Sequence, residues 1–246
     1  MPKLALNGVS IFYESLGTGS PILFIPGALG TGASDFEHQI GWFSRTHQVI
    51  APDPRGYGQS RPPQRDYPVT FYQRDAEDML TLMTGLGHEE FTIFGWSDGA
   101  NIGTLMAANA PLRVRKLVVW GGNSFLSAEE IAAFQAMRSL SSWSQREVDA
   151  MRQVYGDSLA VLWAGYVAGL EAIYAAGGEI YRTLLGRVQC PTFVLHGEKD
   201  PLVPSFHPRI ISEGIAGSML HVFPEGKHRI HAKYAAEFNQ LTAAFI

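Results

Sequence analysis

The sequence has a single cysteine, Cys190, which excludes an internal disulfide framework and fits a reducing compartment. This thiol precedes a proline and an apolar run, so we expect it to be buried in the core rather than reactive.

Charged residues are also scarce. Charged residues make up 17% of the chain, and 19 Lys and Arg against 23 Asp and Glu leave a net charge of −4. Because no Lys/Arg cluster stands out, we expect no nucleic-acid partner.

Targeting segments and cofactor motifs are equally missing from the sequence. The stretch MPKLALNGVSIFYE has neither the layout of a secretory signal nor the composition of a transit peptide. No run of about 18 or more apolar residues indicates a membrane span. GALGTGAS lacks the Gly-Lys-Ser/Thr ending of a P-loop, and no Cys/His/Asp group has metal-ligand spacing. We therefore expect a cytoplasmic monomer with no membrane partner, no metal and no cofactor.

Short apolar runs alternate with helical periods over most of the chain. Asn7-Gly8 between two apolar segments predicts a β-hairpin, because both residues tolerate positive φ. Continuous apolar runs are typical of strands buried on both faces of a parallel sheet, and here they read PILFI, QVIAP, FTIFG, KLVVW and PTFVL. Helical periods occur at 79–86, 102–106 and 234–245. The alternation predicts an α/β fold, with a mostly parallel central sheet flanked by helices.

The alternation stops between Ser127 and about Arg187. SAEEIAAFQAMRSL, SQREVDAMRQVYG and SLAVLWAGYVAGLEAIY all have helical periods, and no predicted strand separates them. Such a segment between two sheet strands predicts a helical lid inserted after the sixth strand, over the carboxyl edge of the sheet. We therefore divide the chain into a first part of the core (1–123), the lid (124–187) and a second part of the core (188–246).

The segment FTIFGWSDGANIG places Ser97 between two glycines, after a predicted strand and before a predicted helix. This is the context of a nucleophile elbow, in which glycines relieve a crowded turn and the hydroxyl projects above the sheet. An ordinary strand-to-helix turn is the alternative. A serine nucleophile needs a base and an orienting acid, in the chain order Ser, Asp or Glu, His. Asp200 follows the predicted strand PTFVL, and His228 follows the last predicted strand, MLHVF, so the two residues come in that order.

Other residues fit the roles of acid and base less well. His196 lies at the end of a strand, where we expect a structural hydrogen bond, and His221 lies inside the last strand. His231 falls within the final helix, and Glu198 comes two residues before the turn that the prolines stiffen. Asp200 and His228 are therefore the predicted partners of the serine.

Backbone N–H groups beside the nucleophile are expected to form an oxyanion hole. Asp98 directly follows the serine and supplies one of them. The loop PGALG supplies the other, from Ala28 or, as a close second, from Leu29. Gly27 in this loop allows the backbone to approach closely, although a plain glycine-rich turn is the alternative.

The elbow, DPRGYGQSRPP, HGEKDPLVP and PEGKH together make the chain resemble the α/β-hydrolase superfamily, and within it the valacyclovir hydrolase (biphenyl hydrolase-like) family. The resemblance runs nearly end to end and is weakest in the lid. It implies an α/β-hydrolase fold with Ser97, Asp200 and His228 as a catalytic triad and Asp98 as the residue that recognises an amine. Ala28, in the loop PGALG, departs from the family pattern, in which we expect a bulkier residue at that position of the oxyanion loop. The resemblance also implies tolerance of bulky alcohols, activity on amino-acid thiolactones, and a mitochondrial location as the alternative to the cytoplasm.

Asp98 beside the nucleophile creates an electrostatic conflict. A carboxylate about 4 Å from a developing oxyanion costs roughly 4 kcal/mol at an effective dielectric near 20. The conflict is removed if the carboxylate faces a substrate ammonium group, so we predict a serine hydrolase whose partner is a small ester with a free α-amino group. The alternative for Asp98 is an acid stabilised by the helix dipole.

Trp96 is a second candidate for binding substrate, and packing in the core is the default interpretation of this side chain.

The alternative functions are a carbon–carbon bond hydrolase of aromatic ring-cleavage products, a general carboxylesterase, and a non-catalytic receptor or scaffold.

Overall fold

A computed structural model describes residues 2–246 and contains one eight-stranded sheet. The strands are β1 (Lys3–Leu6), β2 (Val9–Leu16), β3 (Pro21–Ile25), β4 (Gln48–Pro52), β5 (Phe91–Trp96), β6 (Val114–Trp120), β7 (Thr192–Gly197) and β8 (Met219–Phe223). Their spatial order is β1-β2-β4-β3-β5-β6-β7-β8. The pairs β1–β2 and β2–β4 are antiparallel, and the other neighbours are parallel. The predicted hairpin turn is formed by Asn7 and Gly8, which have φ values of 44° and 77°.

Successive residues of the parallel strands enter two different cores, which explains their continuous apolar runs. Leu23 and Ile25 of β3 pack on one side of the sheet, whereas Ile22 and Phe24 pack on the other. A strand covered on both faces has no solvent-facing positions, so it shows no alternation of polar and apolar residues. The sheet therefore lies between two layers of helices, as the sequence predicts.

Ten helices are formed within residues 2–246. They are α1 (Gly32–Asp35), α2 (Glu37–Phe43), α3 (Phe71–Gly85), α4 (Asp98–Asn109), α5 (Ala128–Ala136), α6 (Gln145–Tyr155), α7 (Leu159–Ala175), α8 (Phe206–Gly214), α9 (Ile230–Lys233) and α10 (Ala235–Phe245). Side chains of α3, α4 and α8 belong to one core, and those of α2, α9 and α10 belong to the other. The final helix begins at Ala235, because Tyr234 leaves the helical conformation with φ −115° and ψ 38°.

The helical insertion, residues 124–187, lies between β6 and β7 and contains α5, α6 and α7. Two of its helices begin at serines whose side chains accept a hydrogen bond from the backbone three residues later. Ser127 forms such a capping box with Glu130, and Ser144 forms one with Glu147. This pairing satisfies donors that the first turn of a helix leaves free, so the local sequence fixes where α5 and α6 start.

Glu130 also anchors the insertion to the core. Its Oε2 lies 3.0 Å from Nε2 of His207 in α8, and both side chains are completely buried. Asn123 donates to Oε1 of the same carboxylate at 2.9 Å. Burial alone would raise the pKa of Glu130, but the hydrogen bond and charge of His207 outweigh it and hold that pKa below its ordinary value. The insertion is therefore attached to the core by a buried polar contact as well as by apolar packing.

The segment Gln145–Ala175 is long and apolar enough to cross a membrane by length and composition alone, which the sequence did not predict. A helix that packs against a protein core passes the same test. Here Trp163, Val167 and Leu170 of α7 are buried in the core on the α3 and α4 side of the sheet. The apolar composition of α7 thus matches its contacts inside the protein.

Candidate active site

Ser97 occupies a strained turn between β5 and α4. Its φ of 56° and ψ of −120° are rare for a residue with a side chain. The flanking glycines make the turn possible. A Cβ on Gly95 would collide with the carbonyl oxygen of Gly99, and a Cβ on Gly99 would collide with that of Ile25. The Ser97 side chain is half-buried at the carboxyl end of the sheet. These features are those of a nucleophile elbow.

The structure brings Ser97, His228 and Asp200 together. Nε2 of His228 lies 3.0 Å from Oγ of Ser97, and Nδ1 of His228 lies 2.7 Å from Oδ2 of Asp200. The Asp200 side chain is completely buried, while that of His228 is 12% exposed. With Nδ1–H donating to the carboxylate, Nε2 is free to accept the serine proton. The arrangement can therefore raise the nucleophilicity of the hydroxyl.

The loop after β7 holds Asp200 in its ionised form. Its Oδ1 accepts backbone N–H groups of Leu202 and Val203 at 2.9 and 3.1 Å. Burial alone would raise the pKa of Asp200, but the charge and hydrogen bond of His228 and the N–H of Leu202 outweigh burial and lower it. A carboxylate that stays charged can orient the imidazole and stabilise its protonated form.

The other histidines near the sheet are placed differently. His231 accepts the indole N–H of Trp120 on Nδ1 at 2.9 Å, and its Nε2 lies 3.0 Å from the carbonyl oxygen of Asp35. Burial lowers the pKa of His231 to about 3, so it is a neutral structural group. His196 is buried in β7, yet its Nε2 has no hydrogen-bond partner among the described residues, contrary to the structural hydrogen bond that we expected.

The loop after β3 lies against the nucleophile. A Cβ on Gly27 would be 3.2 Å from Cβ of Ser97, so only glycine fits there without displacing the serine. The loop closes as a turn in which the N–H of Gly30 donates to the carbonyl oxygen of Gly27 at 3.0 Å, with Leu29 at φ 59°. The N–H of Gly27 donates to Oδ2 of Asp35 at 3.1 Å.

Three backbone N–H groups near the elbow are free to donate a hydrogen bond to a substrate. Those of Ala28, Leu29 and Asp98 donate to no acceptor in the part of the chain that the structure describes. Asp98 is the first residue of α4, where backbone N–H groups have no partner within the helix. These groups can stabilise an oxyanion that forms beside Ser97.

Asp98 is 5% exposed and has an unusual set of partners. Its Oδ1 accepts the hydroxyl of Tyr72 at 2.7 Å and the hydroxyl of Tyr166 at 2.8 Å. No Lys, Arg or His side chain within residues 2–246 forms an ion pair with it. Burial raises the pKa of Asp98 to about 6, although both tyrosine hydrogen bonds act in the opposite direction. The site therefore contains a buried carboxylate without a cationic partner.

The buried cation Arg65 is paired with a different carboxylate, that of Asp75. Its guanidinium donates to both carboxylate oxygens of Asp75. Its Cζ lies 4.7 Å from the ring centre of Tyr57 and 5.2 Å from that of Tyr67. Sequence reasoning missed this aromatic box, because Tyr57, Arg65 and Tyr67 lie in a connecting segment without a helical or strand period. Arg65 is thus paired with Asp75 and forms no ion pair with Asp98, although its charge lowers the pKa of Asp98 from a distance.

Trp96 supports His228, a role that the sequence did not predict. Its indole N–H donates to the carbonyl oxygen of His228 at 3.1 Å, and the two ring centres are 5.3 Å apart. The indole is 8% exposed and belongs to the core on the α2 and α10 side of the sheet. The structure therefore shows Trp96 packed in the core, as the default interpretation predicts. Contact of Trp96 with substrate stays a prediction.

The chain matches the alpha/beta hydrolase fold family over residues 20–175. Serine hydrolase BPHL of Mus musculus and of Homo sapiens are each 42% identical to it over 248 residues, which cover 99% of this chain and 85% of those proteins. The meta-cleavage product hydrolase of Pseudomonas fluorescens IP01 is similar in structure, with a TM-score of 0.83 at 20% identity, covering 100% of this chain and 97% of the other.

These similarities agree with the geometry described above. The sheet order, the strained serine between β5 and α4, and the histidine and aspartate after the last two strands are features of one fold. The sequence of a serine hydrolase is 42% identical to this chain over 99% of the chain's length. The predicted fold is thereby confirmed: the chain belongs to the α/β-hydrolase fold family.

Proposed function

We propose that the chain is a serine hydrolase that cleaves esters of α-amino acids through an acyl-enzyme. In this reaction Ser97 Oγ attacks the ester carbonyl while His228 takes the hydroxyl proton and passes it to the leaving alcohol. Asp200 holds the imidazole and stabilises its charged form. A water molecule, deprotonated by His228, then releases the amino acid.

The developing oxyanion is stabilised in this proposal by two backbone N–H groups. One belongs to Asp98 and the other to Ala28 or Leu29. Ala28 is our first choice, because the N–H of Gly27 is committed to Asp35 and that of Ala28 is the next one along the loop. Donors fixed before the reaction stabilise charge without reorganising, and each such donor contributes roughly 3 kcal/mol in serine hydrolases.

A single observation supports the choice of substrate: Asp98 is a buried carboxylate beside the nucleophile, and within residues 2–246 its hydrogen-bond partners are two neutral hydroxyls. A buried charge without a counter-ion is unfavourable. The α-ammonium group of an amino-acid ester lies next to the carbonyl that Ser97 would attack. Its binding to Asp98 would supply the missing cation and orient the acyl group at the same time.

The experiment compares an amino ester with its des-amino analogue, for example the benzyl esters of valine and of 3-methylbutanoic acid. We expect wild type to prefer the valine ester. Asp98→Asn keeps the size of the side chain and an acceptor for both tyrosines but removes the charge. It should lower the kcat/KM of the valine ester by roughly 100-fold, as expected for a lost buried charge pair.

The des-amino ester and a second variant serve as controls. Asp98→Asn should change the kcat/KM of the des-amino ester by less than about threefold if its charge acts on the amine alone. Asp149→Asn removes an exposed carboxylate of α6 and should leave both substrates unchanged. Equal kcat/KM values of wild type for the two esters would contradict amine recognition and leave a general carboxylesterase.

Two further alternatives have distinct outcomes. A carbon–carbon bond hydrolase acts on acidic ring-cleavage products, which the charge of Asp98 would repel. A receptor or scaffold would show no turnover of any ester, and Ser97→Ala would then change nothing. If the proposal is correct, Ser97→Ala should reduce kcat by several orders of magnitude, because members of a triad act as a unit.

A further inference from the structure

Two tyrosines from separate parts of the chain donate to the same oxygen atom of Asp98. Tyr72 belongs to α3 in the core, and Tyr166 belongs to α7 in the helical insertion. Their hydroxyls lie 2.7 and 2.8 Å from Oδ1. Oδ2 accepts no hydrogen bond from the residues that the structure describes. The carboxylate is thus held on one side and has one oxygen left for a ligand.

Both tyrosines pack against neighbouring aromatic rings and stay protonated at neutral pH. Tyr72 packs with its ring centre 4.0 Å from that of Phe71, and Tyr166 stacks on Trp163 at 5.4 Å. Burial and the nearby charge of Asp98 raise the pKa of each tyrosine well above its ordinary value. Each hydroxyl therefore has a proton to donate, and its direction is set by a ring that cannot rotate freely.

We propose that Tyr72 and Tyr166 are positioning residues for amine recognition: they hold the Asp98 carboxyl by Oδ1 and thereby direct Oδ2 to the ammonium group of the substrate. The inference rests on the proposed function, since it assumes that Asp98 binds the amine. It adds that specificity depends on the helical insertion, because Tyr166 reaches Asp98 only while α7 is packed against the core.

The tyrosines also keep Asp98 charged. Their hydrogen bonds lower its pKa against the effect of burial. Without one hydroxyl, Asp98 would bind a proton at higher pH and its carboxyl could rotate away from the site. Either change weakens the interaction with an ammonium group and leaves the reaction at the carbonyl unaffected.

The test uses Tyr72→Phe and Tyr166→Phe, each of which removes only the hydroxyl. For each variant, kcat/KM is measured with valine benzyl ester and with benzyl 3-methylbutanoate from pH 5 to pH 8. We expect the ratio of the two values at pH 7 to fall by about tenfold, the usual effect of one hydrogen bond to a charged group. The fall in this ratio should result from a higher KM for the amino ester. The pH below which the ratio declines should also shift upward.

Tyr57→Phe is the matched control. Its hydroxyl is buried in the neighbouring aromatic box and contacts the hydroxyl of Tyr67 at 3.0 Å, not Asp98. This variant should keep the wild-type ratio and pH profile. Thermal unfolding of all three variants shows whether each is folded at the assay temperature.

The outcomes separate this inference from the proposed function. If Asp98→Asn abolishes the preference for the amino ester but neither tyrosine variant alters it, the positioning role is wrong and the amine site stands. If Asp98→Asn also leaves the preference intact, the proposed function itself fails. A purely structural role would lower kcat/KM for both esters together and leave the pH profile of their ratio in place, which would overturn the inference.

Discussion

At the scale of single residues, the environment of Asp98 makes the charge of its carboxyl sensitive to pH just below neutrality. Most carboxylates are fully charged well below neutral pH, but burial brings the pKa of this one to about 6. An ammonium ligand would stabilise the charged form and lower that pKa on binding. Recognition of the amine should therefore weaken under mildly acidic conditions in which an exposed carboxylate would still be ionised.

We predict that the preference for an amino ester over its des-amino analogue is greatest between about pH 6 and pH 8. Below pH 6, Asp98 in the free enzyme becomes protonated, and the preference should fall by up to about tenfold per pH unit. Above about pH 7.7, the substrate loses its ammonium proton and the preference should fall again. The ratio of kcat/KM values is the appropriate measurement, because groups shared by both reactions cancel. A ratio independent of pH from 5 to 9 would contradict this prediction.

From the sequence we can predict site residues whose roles follow from their order along the chain. We cannot predict site residues whose roles follow from how the helices pack. Ser97, Asp200 and His228 follow strands in a fixed order, and the structure places them within hydrogen-bond distance of one another. Tyr72 and Tyr166 lie in helices with ordinary apolar periods. Nothing in those periods indicates that their hydroxyls converge on Asp98, because the convergence depends on how two distant helices pack.

At the scale of secondary structure elements, α6 is linked directly to the loop after β3. The hydroxyl of Tyr155 donates to the carbonyl oxygen of Leu29 at 2.7 Å. Arg61 donates to the carbonyl oxygen of Val154 at 2.7 Å, one residue before this tyrosine. Leu29 has a positive φ of 59°, so its peptide orientation is not the one that the backbone would adopt by default. The contact from α6 helps to hold that orientation.

We predict that Tyr155→Phe lowers kcat for amino and des-amino esters alike, by roughly 3- to 10-fold, with little change in KM. The reason is that, in the proposed reaction, the loop supplies an N–H group to the oxyanion, which forms only after the substrate is bound. Steady-state kinetics with both esters tests this. A selective loss with the amino ester would instead connect Tyr155 to Asp98 and refute a role in the loop.

Strands could be predicted more completely than helices. The continuous apolar runs mark the strands β3 to β7, because burial on both faces of the sheet leaves a simple pattern. The helix α8 was missed, since SFHPRI reads as a loop. Pro208 lies in its first turn, where a missing N–H does no harm. The prediction that His231 falls within the final helix was wrong. The chain leaves the helical conformation at Tyr234, so His231 belongs to the separate short helix α9.

At the scale of the whole molecule, the buried carboxylate of Asp98 reduces stability at neutral pH. Asp98 has an ordinary pKa of 3.8 and a pKa of about 6 in the folded chain, so the folded state binds its proton more tightly than the unfolded state does. Stability is then lost as the pH rises from about 4 to 6. At neutral pH the loss amounts to about 3 kcal/mol, because one pKa unit corresponds to about 1.4 kcal/mol.

Asp98→Asn should therefore be more stable than wild type at pH 7, by up to about 3 kcal/mol in the free energy of unfolding. The gain should shrink as the pH is lowered from 6 toward 4, where the wild-type carboxyl is protonated as well. Urea unfolding at several pH values measures both effects. A variant that is less stable than wild type at pH 7 would show that the charge of Asp98 stabilises the fold.

The position of Asp98 beside Ser97 also has a consequence after the chemical steps are complete. Hydrolysis of the acyl-enzyme turns the neutral ester carbonyl into a carboxylate next to the serine. That new negative charge lies close to Asp98, and two like charges about 5 Å apart repel by roughly 3 kcal/mol at an effective dielectric near 20. In the proposed reaction, the carboxylate that binds the ammonium group of the ester would therefore disfavour retention of the zwitterionic product and favour its release.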